Sequence, residues 1–120
     1  MNAPHLPALV SHPDALALEL QPDEPLVVLS GTPRAFVREL YRDGVVESGV
    51  WEVTPGVFAG ENDGFGEHMY VLAGEATVTS EDGAAVELRP GVSFVARPGW
   101  RGQWDVRETV RKIYVIWPVA

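Results

Sequence analysis

The chain predicts an all-β fold, a sandwich or jelly-roll barrel, preceded by an extended N-terminal arm. Three observations carry this. From Gly31 onward, short β-type segments recur at spacings of about 8–12 residues, with turn residues between them. Ten prolines are spread over 120 residues, which works against long helices. Helical segments do not alternate with the strands, as they would in a parallel α/β sheet. A chain of this length forms one domain with one hydrophobic core.

Residues 1–30 are expected to form the arm and residues 31–120 the barrel. Pro4, Pro7, Pro13, Pro22 and Pro25 forbid a long helix in the arm. Ala15–Leu20 fits a short strand or one helical turn, and Leu26–Leu29 fits a short apolar strand. Such an arm would lie on the barrel or on a neighbouring subunit. Arg34–Tyr41 alternates in side-chain character and predicts a strand, with a helix as the competing assignment, and Asp43–Gly44 supplies a turn. Val45–Thr54 is the next strand, with Trp51 and Val53 on one face and Glu52 and Thr54 on the other. Pro55–Gly56 ends it, and Phe58–Gly66, with three glycines and Asn62–Asp63, has the composition of a loop. Two strands follow, Glu67–Ala73 and Glu75–Ser80, separated by Gly74. Glu81–Gly83 forms a hairpin turn into Ala84–Leu88. Arg89–Gly91 turns into Ser93–Ala96, and Arg97–Gly99 turns again. Gln103–Val106 and Val110–Trp117 complete the sheet.

Composition narrows the functional classes. Hydrophobic residues make up 46% and charged residues 22%, ordinary for a globular domain. No apolar run approaches the ~20 residues of a membrane span, so no membrane partner is expected. Met1–Pro13 lacks the basic start of a secretory signal. Cysteine is absent, which excludes disulfides and thiolate chemistry and makes the cytoplasm the expected compartment. A net charge of −8 repels polyanions, so nucleic acid is not expected as a partner. The charge is uneven, net −9 over residues 1–80 and +1 over 81–120. Arg97, Arg101 and Arg111 could together form a local anion-binding face.

Two stretches carry a family resemblance: Asn62–Glu75, with its glycine turn and strand, and Gly91–Trp104, punctuated by Gly91, Pro98, Gly99 and Gly102. They resemble the two motifs of the cupin superfamily, a double-stranded β-helix or jelly-roll barrel. The wider pattern is Gly49–Gly56, Tyr70–Glu75, Gly102–Val106 and Val110–Tyr114. It resembles the small ureidoglycine-aminohydrolase-type and ethanolamine-utilisation-type cupins over residues 30–118. The resemblance places the first-motif glutamate at Glu67 and the second-motif glycines at Gly91 and Gly99. The positions that usually hold metal-binding histidines fall at Gly60, Asn62 and Gly102. Three of the four usual ligands are therefore missing, no metal or other cofactor is expected, and aminohydrolase activity cannot be carried over.

The expected ligand pocket comprises Trp51, Asn62, Glu67, Met69, Trp104, Lys112 and Tyr114. Glu67 begins a strand whose alternate residues are apolar, so an inward orientation makes it a carboxylate in an apolar barrel and a candidate acid or base. Its structural alternative is an ion pair with Lys112. His68 must point to the opposite face, and His5 and His12 lie in the arm, so the three histidines do not suggest a metal site. Glu67 with Asn62 and water could provide only a weak oxygen-rich cation site. Trp51, Trp104 and Trp117 suit the core, but Trp104 follows Gly102 by two residues and should border the space a histidine would leave. Lys112 and Tyr114 share a strand face, either as a snorkelling surface pair or as a site for a substrate carboxylate.

These features predict a metal-free or weakly metal-binding protein that holds a small polar metabolite in its barrel, and that associates as a homodimer. The alternative is a small-metabolite enzyme (aminohydrolase, isomerase or lyase) using Glu67 as acid/base. A transition metal would favour the enzyme, as would Glu67 in hydrogen-bond reach of a second titratable group within an open pocket.

Overall fold

The structure, a computed structural model, describes residues 19–23 and 25–119. Among them every regular element is a strand: β1 (Gln21–Pro22), β2 (Val27–Ser30), β3 (Ala35–Asp43), β4 (Val46–Val53), β5 (Gly56–Glu61), β6 (Phe65–Ser80), β7 (Ala85–Leu88), β8 (Ser93–Ala96) and β9 (Arg101–Pro118). All pairings are antiparallel. The jelly-roll expectation holds. The short strand or helical turn expected at Ala15–Leu20 falls largely outside the described residues. Of the expected arm, β1 pairs with β3 and β2 with β5.

Two long strands organise the barrel. β6 and β9 pair along most of their lengths, from Phe65↔Pro118 to Ser80↔Gly102. The C-terminal half of β9 carries β4 on its other side, and its N-terminal half carries β5. On the far edge of β6, β8 pairs with Glu67–Tyr70 and β7 with Ala76–Thr79. The sheet curls so that aromatic rings from β4, β5 and β9 meet in its interior: Trp51 lies 6.2 Å from Phe58 and 5.6 Å from Trp104 between ring centroids.

Here the sequence expectations need three corrections. Gly74 does not end a strand. β6 runs through it with register shifts between Val71 and Ala76, a bulged bend that increases local twist. Gly74 has φ +94°, and a Cβ there would stand 2.1 Å from the Thr109 carbonyl oxygen, so the bend brings backbone against backbone where only glycine fits. Likewise β9 is continuous across Arg107–Thr109. Finally, much of the expected loop at Phe58–Gly66 is strand β5, and only Asn62–Gly64 lies between strands.

Around the bend of β6 and β9 the interior is packed with aliphatic side chains. Val71, Ala76, Val78 and Val110 are fully buried, and Leu88 and Val106 nearly so. This aliphatic plug belongs to one hydrophobic core cluster that also takes in Phe58, Met69, Trp104 and Tyr114. The aromatic and charged side chains gather directly beside it, Trp104 being the ladder partner of Val78 and Lys112 that of Val71.

Candidate functional site

The region beside the plug holds a cavity of about 480 Å³. The strand period of two places its polar walls. On β9, Lys112 and Tyr114 project inward together, 4% and 3% exposed, while Val115 faces out. On β6, Glu67 and Met69 share the inner face and His68 points outward to the Ser93 hydroxyl. Asn62 enters from the short loop after β5 and is 6% exposed. All seven residues expected in the pocket line this one cavity.

The charged centre is Lys112. Its Nζ donates to Glu67 Oε2 at 2.6 Å. It also lies 4.4 Å from the ring centroid of Trp51 and 5.0 Å from that of Trp104. The ammonium is thus flanked by one carboxylate and two indole faces. The ion-pair alternative for Glu67 is therefore the observed one, and the snorkelling surface alternative for Lys112 is overturned by its burial.

Tyr114 donates to Glu47 Oε2 at 2.6 Å, and burial, followed by the bond to Glu47, pushes its phenol well above the ordinary value. The expectation that Lys112 and Tyr114 would jointly receive a substrate carboxylate meets a physical obstacle, because each already serves a carboxylate of the chain. Trp51 Nε1 donates to Asp23 Oδ2 at 2.9 Å, tying the segment after β1 to the cavity rim.

The space beside Gly102 is also filled. A Cβ on Gly102 would lie 2.6 Å from the Trp100 ring, and one on Gly60 would lie 3.2 Å from the same ring. Gly60 and Gly102 are direct ladder partners on β5 and β9. The Trp100 indole thus wedges against both histidine-equivalent positions, held by its Nε1 donating to Ser80 Oγ at 2.9 Å. Trp100 was not among the expected site residues, and neither were Asp23, Glu47 and Phe58. Phe58 stacks on Trp104 at 5.7 Å with 20° between planes.

The donor set does not fit a transition metal. Glu67 is engaged by an ammonium, an indole crowds two of the positions where imidazole would be needed, and Asn62 is a poor ligand for such ions. No group of three His, Asp or Glu side chains among the described residues could hold a metal. His5 and His12 lie outside the described residues. The three arginines do not form an anion face: Arg111 is buried against Glu52 at 2.9 Å, and Arg101 reaches Glu61 at 3.4 Å. Trp117 packs over Gly66, away from the expected pocket set. No helix among the described residues is long and apolar enough to cross a membrane.

A family model described as the EutQ-like cupin domain matches residues 40–114. No curated protein matches by sequence. Among solved structures, the EutQ protein of Clostridium difficile is 21% identical, with a TM-score of 0.64 over 72% of this chain and 70% of that one. A DUF861-family protein of unknown function from Pseudomonas syringae pv. tomato DC3000 is 25% identical, with a TM-score of 0.74 over 85% of this chain and 45% of its own. Ectoine synthase from P. lautus is 14% identical, with a TM-score of 0.70 over 92% of this chain and 78% of the enzyme, a likeness of fold alone.

Proposed function

We infer the function from one premise: the chain belongs to the EutQ-like cupin domain family. We propose that it binds a small polar metabolite in the barrel cavity without a transition metal. One observation carries this reading. The cation at the heart of the cavity is the chain's own Lys112, fixed by Glu67 at 2.6 Å and flanked by Trp51 and Trp104. A volume of about 480 Å³ with aromatic walls and few polar groups suits a metabolite-sized ligand. Ligand-observed NMR with a fragment library, run on tag-free protein and on Trp104→Phe, tests it. Fragments should bind the wild type and lose affinity about 3–10-fold in the variant, through lost stacking. Near-stoichiometric transition metal surviving dialysis would overturn the metal-free part. Binding indifferent to Trp104→Phe would overturn the cavity.

A second reading, an enzyme acting on a small metabolite, is favoured by the same pair, since Glu67 does reach a titratable partner in an open cavity. Glu67 would then move a proton with Lys112 as its counter-charge. It ranks second because Glu67 is held in an ion pair with Lys112 at 2.6 Å, which suits an anchor better than a proton shuttle. A turnover that falls at least about 100-fold in Glu67→Gln while ligand binding persists would promote it.

We also propose a homodimer. Tyr70, Val95 and Val115 stand exposed on the outer face of β8, β6 and β9, an apolar surface that pairing would cover. Light scattering should give about 26 kDa, twice the chain's 13.1 kDa. A mass of one chain at high concentration would end the proposal.

A further inference from the structure

We propose that the cavity selects a protonated amine carried on an apolar or planar body. This deepens the ligand-binding reading above and rests on it.

Most donors are engaged. Trp51, Trp100 and Tyr114 each have a single hydrogen to give, and give it to Asp23, Ser80 and Glu47. Lys112 also reaches Met69 Sδ at 3.5 Å, and Trp104 Nε1 is the one indole donor of the lining without an acceptor among the described residues. The charge of Lys112 is matched by Glu67.

The acceptors are not. Asn62 Nδ2 donates to the Ala96 carbonyl at 3.1 Å. A carbonyl can only accept, so the amide orientation is fixed and Oδ1 is the acceptor left over. Asn62 is 6% exposed and lines the cavity, yet Oδ1 has no partner among the described residues. A buried acceptor left without a donor is costly, which marks it as half of an interaction. Glu67 stands beside it, since Ala96 is the ladder partner of Glu67. Lys112 engages Oε2 of Glu67, and Oε1 is a second acceptor with no partner among the described residues. At the rim, Asp23 receives nothing but the neutral indole N–H of Trp51 and has no cationic partner among the described residues.

Charge points the same way. Asp23, Glu47, Glu61 and Glu67 line the cavity against Lys112 alone. Arg42 offsets Glu47 and Arg101 offsets Glu61 from outside the lining, and Asp23 has no such ion pair among the described residues. The chain as a whole carries −8, so the long-range field also attracts cations. The Phe94–Trp100 edge-to-face pair adds aromatic wall to the same cavity, and aromatic faces favour ammonium over carboxylate.

Three probes with one skeleton and three charges test this: phenethylamine, 2-phenylethanol and phenylacetate, titrated by calorimetry at low ionic strength and pH 7. Phenethylamine should bind at least 10-fold more tightly than 2-phenylethanol, and phenylacetate most weakly. Asp23→Asn, a change at an exposed position, should weaken the amine about 2–5-fold and the alcohol by less. Asn62→Leu should remove most of the amine's advantage. Should that variant fail to fold, Glu67→Gln with Lys112→Met tests the same centre with the pair's charges removed together, and should bring the amine within about 3-fold of the alcohol. If the alcohol or the acid binds as well as the amine, the amine selection is overturned and the pocket stands. If none of the three binds at millimolar concentration, both are overturned.

Discussion

Two adjoining regions of the barrel interior are built from the same two strands and behave as opposites. At the bend, β6 and β9 contribute Val71, Ala76, Val78, Val106 and Val110, which pack into an apolar plug with nothing to satisfy but volume. A few residues away the same strands contribute Glu67, Lys112 and Tyr114, whose charges and hydroxyl must each be answered by a partner. Burial of apolar surface stabilises the first region. In the second, Phe58, Met69 and Trp104 bury apolar surface too, but the ion pair itself adds little, because a buried ion pair roughly cancels its own desolvation. An unmatched charge there would be expensive, so its persistence suits recognition better than folding.

The largest effect expected is from breaking the central pair on one side only. Glu67→Ala leaves Lys112 charged and 4% exposed, and should cost about 3–5 kcal/mol in denaturant unfolding. Glu67→Gln with Lys112→Met should recover most of that loss. If the double variant is as unstable as the single, the cavity contributes to folding and the contrast fails. Next comes the plug: Leu88→Ala, at 1% exposure, should cost about 2–5 kcal/mol and leave ligand affinity unchanged. A Leu88→Ala protein that retains stability but loses binding would merge the two regions into one. Between them stands the Trp100 wedge. Gly102→Ala puts a Cβ 2.3 Å from the Thr79 carbonyl oxygen and 2.6 Å from the Trp100 ring, and should cost about 1–3 kcal/mol through overpacking. A neutral Gly102→Ala would mean that Trp100 is free to move aside.

The plug and the cavity were not equally legible in the sequence. Alternation at Glu67–Met69–Val71 and at Lys112–Tyr114 groups the side chains that share a face, and the cupin resemblance at Asn62 and Gly102 supplied the rest of the pocket set, while which face of β9 turned inward was left open. Asp23 and Glu47 were hidden because they reach the cavity through long-range partners, Trp51 and Tyr114, that no local pattern reveals. The glycines misled in a physical way. Gly60 and Gly74 resemble loop punctuation, yet one makes room for an indole and the other for a backbone crossing. The available signal for Trp100 was Gly102 itself. A glycine where the related barrels carry a large side chain implies that another large group takes the space, and Trp100 stands two residues upstream.

The smallest effect separates the cavity's hydrogen bonds from its charges. Tyr114→Phe removes one hydroxyl while Glu47 keeps its ion pair with Arg42 at 2.8 Å, so no carboxylate is stranded. The cost should be about 1 kcal/mol, that of a single hydrogen bond. Alkaline unfolding gives a cleaner readout. In the folded chain, burial and the bond to Glu47 hold the Tyr114 phenol protonated above its ordinary value of 10.0. Above that pH the unfolded chain releases the proton and the folded chain keeps it, so the folded state binds more protons and its stability falls as pH rises. The contribution is therefore fully present below about pH 10 and lost beyond it. The wild type should lose thermal stability more steeply than Tyr114→Phe between pH 9.5 and about 11.5. Equal slopes would mean that the phenol ionises in place, with the cavity wet enough at Tyr114 to solvate a phenolate beside Glu47. The distinction between a dry, internally matched cavity and an ordinary surface cleft would then be lost at that wall, leaving it to rest on Lys112 and Glu67 alone.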